Sequence, residues 1–280
     1  MQNNKILSLS YHIVEICNMR CSFCFAKFNC IDRHLSMKDT FFLIEELAKA
    51  GTKKISFAGG EPTLYECLPE VITHAKRCGL TTMLITNGSG LSEHFLNNMI
   101  NHLDWIGLSV DSLDKNQLKE LGRQLPYELV DESYYFEKVS YIKDYGYKLK
   151  INTVVNKINF DNNMSEFINY ASPKRWKLFH VLPLQNIKYD HNLLITNTEF
   201  ISFYERHLNL INTEIDIISE SNDAMTSSYV IIDPLGRLVD NTNYKLCYSD
   251  SILKIGVEKA LEQINLDIEK MKKRKAFYDW

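Results

Sequence analysis

Apolar and polar positions alternate along this chain in short runs rich in β-branched and aromatic residues, and longer segments of helical period separate those runs. The alternation predicts strands at Leu7 to Ile16, Lys54 to Ala58, Thr82 to Thr86, Trp105 to Val110, Lys148 to Val155 and Trp176 to Leu182. The helical period predicts helices at Met37 to Ala50, Leu68 to Cys78, Ser92 to His102, Ser133 to Asp144 and Asn162 to Tyr170. Strand and helix in strict turn mean repeated βα units and a parallel sheet, six units here. After about residue 185 the rhythm changes. A helix near Thr198 to Leu210 precedes SSYVIIDPLGRLVDN, which reads as a hairpin turning at DPLG, and a short helix around Val257 to Ile264 leads to a basic tail. Residues 186–280 are therefore expected to form an extension packed on the first 185.

Within three strands the alternation separates charge from grease. In KKISFAGG, Lys54, Ser56 and Ala58 share one face and Ile55 and Phe57 the other; in KLKINTVVN, Lys148, Lys150 and Asn152 oppose Leu149 and Ile151. In RWKLFHV, Arg175, Lys177 and Phe179 oppose Trp176 and Leu178. Helices cover the outside of a βα barrel and demand apolar residues there, so the polar faces point inward. Lys54, Lys150, Arg175 and Lys177 then converge in a low-dielectric lumen, which requires carboxylates or a polyanion, a triphosphate above all. Strand edges meeting water are the competing reading of each basic face.

The chain of 280 residues is long enough for one large α/β domain or two small ones, and it balances 32 basic against 35 acidic residues. That near-neutrality provides no global field for nucleic acid or an anionic membrane, so neither is expected as a partner. Seven cysteines, unevenly spread, and a first stretch without an apolar signal core predict a reducing, cytoplasmic setting. No apolar run approaches a membrane span, and a monomer is expected.

Cys17, Cys21 and Cys24 stand together in CNMRCSFCF without a fourth thiol in the run. A structural zinc knuckle would need completion by Cys30 or His34, and an isolated thiol is usually only a small buried hydrophobe. Three thiolates also suit an iron-sulfur cluster with one iron left open to a ligand. The loops after the next strands carry matching chemistry. FAGGEP offers Gly59 and Gly60 for close backbone approach and Glu61 as an acceptor for an ammonium group. TNGSG follows the third strand with Asn87, Ser109 lies near the end of the fourth in LSVDS, and Arg123 follows within LGRQ, each on its own no more than a loop residue.

CxxxCxxC followed by an aromatic, with GGE at the expected distance, resembles the radical SAM superfamily. LSYHIVEICNMRCSFCF, KKISFAGGEP, LKINTVVNKIN, RWKLFHVL and ESNDAMTSSYVIID, in that order, resemble the viperin family in its prokaryotic form. The resemblance implies a partial (β/α)6 TIM-like barrel closed by a C-terminal extension. It implies a 4Fe-4S cluster on Cys17, Cys21 and Cys24, and S-adenosyl-L-methionine held by Gly59, Gly60, Glu61, Asn87, Ser109 and Arg123. Lys54, Lys150, Asn152, Arg175 and Lys177 would grip a ribonucleoside triphosphate, CTP, UTP or GTP, with Tyr229 lining the ribose site. The activity implied is dehydration to the 3′-deoxy-3′,4′-didehydro nucleotide, a chain terminator in antiviral defence. A 5′-deoxyadenosyl radical would take the 4′ hydrogen, the 3′ hydroxyl would leave as water, and Tyr229 would serve as donor in the closing reduction. An electron donor such as a flavodoxin or ferredoxin is implied as partner. Two departures are Ala58, where the vertebrate proteins have serine, and Ser10, where they have asparagine. Two rival readings compete: a GTP cyclase of the molybdenum-cofactor type, which brings further C-terminal cysteines where this chain has only Cys247 beyond residue 78, and a non-catalytic metal-binding redox sensor.

Overall fold

The computed structural model describes residues 7–28, 33–187 and 190–274; Cys30, the candidate fourth thiol, lies outside them. Its frame is one sheet, built by seven parallel strands in chain order. These are β1 (Ser8–Val14), β2 (Lys54–Gly59), β3 (Thr81–Thr86), β4 (Trp105–Ser109), β5 (Lys148–Val155), β6 (Arg175–His180) and β7 (Asp216–Glu220). Outside β1 lie β8 (Ile231–Ile232), β9 (Arg237–Asp240) and β10 (Cys247–Ser251), so the sheet order is β10-β9-β8-β1-β2-β3-β4-β5-β6-β7. This is a parallel α/β sheet of the partial TIM-barrel kind.

The connecting helices are α1 (Met37–Lys49), α2 (Leu68–Arg77), α3 (Glu93–Met99), α4 (Lys115–Glu120), α5 (Glu132–Asp144), α6 (Ser165–Ala171) and α7 (Asn197–Leu208). Their starts are chemically marked: the Ser36 side chain accepts from the Asp39 amide at 3.1 Å, and Thr196 and Glu199 form a reciprocal capping box. Leu43, Ile44 and Leu47 of α1 and Val71, Ile72 and Ala75 of α2 are fully buried and belong to the same core as Tyr11, Ile55 and Phe57. Ile151, Trp176 and Leu178 continue that core, so the apolar faces do point toward the helices.

The structure departs from expectation at the two edges. The sequence reading stopped at six strands, but Asp216–Glu220 adds a seventh parallel strand beside β6, with Arg175 opposite Asp216 and Phe179 opposite Glu220. IDIISE was missed because its alternation is broken and its carboxylates depress strand propensity; burial against β6 overrides that. The hairpin at DPLG is present as β8 and β9, extended by β10, and β8 runs parallel to β1. Residues after 185 thus supply strands to both ends of one sheet. Lys148 differs from Lys150 in burial: it lies exposed at the start of β5, with its ammonium 5.3 Å from the Trp105 ring that Lys54 also approaches.

Candidate active site

A cavity of about 310 Å³ is lined by all fifteen residues the sequence singled out. Cys17, Cys21 and Cys24 occupy the loop after β1, Gly59, Gly60 and Glu61 the end of β2, Asn87 the loop after β3 and Ser109 the end of β4. Lys54, Lys150, Arg175 and Lys177 occupy the first half of β2, β5 and β6, and Tyr229 reaches the cavity from the C-terminal segment.

The cysteine loop is held from two sides. The Gly60 amide donates to the Val14 carbonyl at 2.7 Å and the Glu61 amide to the Ile16 carbonyl at 2.8 Å. A Cβ at Gly60 would stand 2.2 Å from the Ile16 carbonyl oxygen, so no side chain is tolerated there. On the other side the Arg20 amide donates to Gly122 O at 3.0 Å and the Ser22 amide to Leu121 O at 2.9 Å, which straps the loop to the residues after α4. Gly122 has φ +71°, and a Cβ there would meet Arg20 O at 2.3 Å.

The polar groups above this loop are already interlocked. Glu61 is 1% exposed and accepts from Thr63 N, Thr63 Oγ1, Thr86 Oγ1 and Asn87 N at 2.6 to 3.1 Å. Oε2 takes only the Asn87 amide and keeps capacity for a further donor. Burial nevertheless pushes the Glu61 carboxyl up, against those hydrogen bonds. Asn87 Nδ2 donates to Asn18 Oδ1, inside the cysteine loop, at 2.9 Å. Arg123 donates from Nε to Asp111 Oδ2 at 2.5 Å, and its guanidinium lies 5.8 Å from the Phe23 ring. Asp111 is fixed in turn by the Val154 amide at 2.7 Å.

Burial pushes all three thiols up, Cys24 to about 12, with the neighbouring cysteines adding to the shift at Cys24. They would remain neutral unless a positive centre claimed them. Among the described residues no three His, Cys, Asp or Glu side chains converge as a single metal ion would require.

The opposite end is cationic and dry. Lys54, Lys150, Arg175 and Lys177 are 3 to 8% exposed. Burial first, then Lys177, Arg175 and Lys148, draws Lys54 down to about 6. Burial, then Lys177, Lys54 and Arg175, draw Lys150 well down, and burial draws Lys177 to about 8 even with Glu220 pulling the other way. Lys177 Nζ is 2.6 Å from Glu220 Oε1 and donates to the Tyr229 hydroxyl at 2.7 Å. Tyr229 donates to Glu220 Oε2, and Arg274 packs its guanidinium 3.7 Å from the Tyr229 ring centroid while approaching Glu220 at 3.5 Å. Burial raises the Glu220 carboxyl, but Lys177 and Arg274 outweigh it and hold it below the usual range; burial and Glu220 hold Tyr229 well above its own. Arg175 Nε is 3.2 Å from Asp216. Beside them Asn152 Oδ1 is buried without a hydrogen-bond donor among the described residues.

Sequence reasoning missed Glu220, Asp111, Arg274 and His12. His12 is 4% exposed, lines the cavity with Ser8 and Ser10, and packs edge-on against Phe25 and Phe28. Burial lowers it to about 4, so it is neutral. The signal was present: SLSYHIV alternates as the lysine strands do and puts Ser8, Ser10 and His12 on one face. Glu220 had only its neighbourhood in ESND to point to it.

The radical SAM superfamily model matches residues 11–171. A curated relative from Flammeovirga pacifica, "S-adenosylmethionine-dependent nucleotide dehydratase", is 43% identical over 99% of this chain and 97% of its own length. One of the same description from Lacinutrix mariniflava is 41% identical over 99% of this chain, which spans 59% of that relative. Streptococcus suis SuiB, solved bound to S-adenosylmethionine, superposes with TM-score 0.69 at 17% identity, covering 89% of this chain and 65% of that one.

Proposed function

This chain belongs to the radical SAM superfamily and, within it, to the S-adenosylmethionine-dependent nucleotide dehydratases, the viperin family, and from that premise we propose that it dehydrates a ribonucleoside triphosphate to the 3′-deoxy-3′,4′-didehydro analogue. The enzyme uses a 4Fe-4S cluster and S-adenosyl-L-methionine. The observation that carries the substrate is the buried basic face of β2, β5 and β6, which shares its cavity with the three cysteines.

Cys17, Cys21 and Cys24 would hold the cluster, and Gly59, Gly60, Glu61, Asn87, Ser109 and Arg123 would hold the methionine and ribose parts of the cofactor. When bound, cluster and cofactor would supply the one-electron chemistry that removes a hydrogen atom from a ribose. The protein's remaining task is positional. Lys54, Lys150, Arg175 and Lys177 fix the phosphates, and Asn152 accepts from a sugar hydroxyl, so that one C–H bond faces the cofactor. Phe25, Leu184, Ile231 and Leu246 give the cavity an apolar wall. Tyr229 keeps its proton throughout the physiological range and is the group placed to return hydrogen to the sugar, with Lys177 and Glu220 holding its hydroxyl.

A flavodoxin or ferredoxin would supply electrons, and a chain-terminating product would act in antiviral defence. No helix among the described residues is long and apolar enough to cross a membrane. The test is to reconstitute the protein anaerobically, add dithionite, S-adenosylmethionine and each of the four triphosphates, and follow 5′-deoxyadenosine and dehydrated nucleotide together. Both are expected with at least one of CTP, UTP and GTP; 5′-deoxyadenosine with none of the four refutes the proposal.

A further inference from the structure

A buried polar group without a partner costs stability, and in a native protein it calls for an explanation. His12 is such a group: it is 4% exposed, it lines the cavity, and its Nδ1 has no hydrogen-bond partner among the described residues. The side chains around it are hydrocarbon. On one flank it stands opposite Ala58 of β2, and on the other β8 brings Ile231 into the cavity wall opposite Ser10. Phe25 and Phe28 meet the ring edge-on, with centroids 5.5 and 5.1 Å away. Phenylalanine would fill a packing role there without burying two nitrogens, so packing leaves those nitrogens unexplained.

The chemistry of the ring narrows what it can meet. Burial holds the imidazole neutral, which gives it one N–H and one lone pair. The Gly59 backbone is the polar group that acts on it, and a carbonyl can take only the N–H. One nitrogen is left as an acceptor. An ionised phosphate oxygen has no hydrogen to offer it, whereas a hydroxyl has. Height along the strand agrees: Ser8 pairs with Lys54, His12 with Ala58 and Val14 with Gly59, so His12 stands about 13 Å beyond the level of Lys54 and just short of the GGE turn. Between a triphosphate on the lysines and a cofactor at Gly59 to Glu61 lies the sugar.

We infer that His12 is a substrate-binding residue whose imidazole accepts a hydrogen bond from a ribose hydroxyl of the nucleotide, fixing the sugar between the lysine end and the cofactor loop. The inference rests on the triphosphate reading above. Its test is calorimetric titration of the reconstituted, unreduced protein with CTP, UTP, GTP and ATP, and then with the 2′-deoxy and 3′-deoxy forms of the nucleotide that binds most tightly. Wild-type protein is expected to bind one of the two deoxy forms about tenfold more weakly than the ribonucleotide. His12→Phe keeps a ring against Phe25 and Phe28 but removes the nitrogens; it should bind the ribonucleotide about tenfold more weakly and lose nothing further with that deoxy form. His12→Leu is read the same way should His12→Phe fail to retain its fold by thermal melting. A variant that weakens all three nucleotides alike, leaving the differences between them intact, overturns the inference and assigns His12 to packing. Wild-type protein indifferent to both hydroxyls overturns it without any variant, and leaves the triphosphate reading standing. Binding of none of the four ribonucleotides to wild-type protein refutes that reading itself.

Discussion

The cavity's two ends fail to be self-sufficient in opposite senses. At the cysteine end burial pushes thiols up and keeps them neutral, which iron reverses; at the lysine end burial pushes ammonium groups down, which phosphate reverses. They differ in how far the protein has compensated in advance. Around the cysteines Glu61, Asn87, Arg123 and Asp111 are interlocked by hydrogen bonds, so that end is rigid before any cofactor arrives. At the lysine end Lys177 and Arg274 share Glu220 and Arg175 meets Asp216, yet burial still draws Lys54 and Lys150 down, which a polyanion would reverse. A site that must hold a cluster permanently is built stiff, and one that must fill and empty is built under electrostatic tension.

The sharpest way to separate the ends is Cys24→Ala. It should abolish turnover and the visible absorbance and iron content of the reconstituted cluster, while triphosphate binding stays within about threefold, because the basic strands do not depend on the loop. Equal loss of nucleotide binding would mean the ends are not independent.

Lys177→Ala attacks the other end. It removes a phosphate contact and leaves Glu220 buried with less countercharge, so triphosphate affinity should fall about a hundredfold and stability by roughly 3 kcal/mol. Iron content should be unchanged. Calorimetry, thermal melting and iron analysis on one preparation check all three, and unaltered affinity would refute the phosphate role.

Gly122→Ala tests whether the rigid end owes its shape to the strap. A residue at φ +71° with its Cβ against Arg20 O costs about 1–3 kcal/mol and should loosen cluster retention while sparing nucleotide affinity. Cluster half-life under a chelator is the readout, and a wild-type half-life would show the strap to be dispensable.

The smallest effect concerns protons. Lys54 lies near 6 in the free protein, so at pH 7 to 8 it is largely neutral, and a polyanion beside it must raise it. Triphosphate binding should take up a fraction of a proton, measurable as a dependence of binding enthalpy on buffer ionisation heat, and Lys54→Met should reduce it. The linked stability has a fixed sign: between about 6 and the unfolded value near 10.4 the unfolded chain binds more protons, so this group makes the free protein more stable as pH rises and less stable as it falls toward 6. No proton uptake would show that Lys54 is already charged in the free protein.

Much of this was legible because it is periodic or contiguous. Strand alternation alone put Lys54, Lys150, Arg175 and Lys177 inside, and applied to SLSYHIV it would have found His12 as well. The cysteine spacing, GGE and the ends of the next two strands located the other end. Glu220 and Arg274 were not legible, for they meet only when β7 joins the sheet beside β6 and the segment through Ile268–Lys273 returns over the cavity.

The sequence by itself determined which side chains face the lumen, because a strand's two-residue period fixes inside and outside whatever the strand's neighbours are. The fold decided which of those charges neutralise one another. Ion pairing depends on distances between residues far apart in the chain, so only strand order and the returning C-terminal segment could place Glu220 between Lys177 and Arg274.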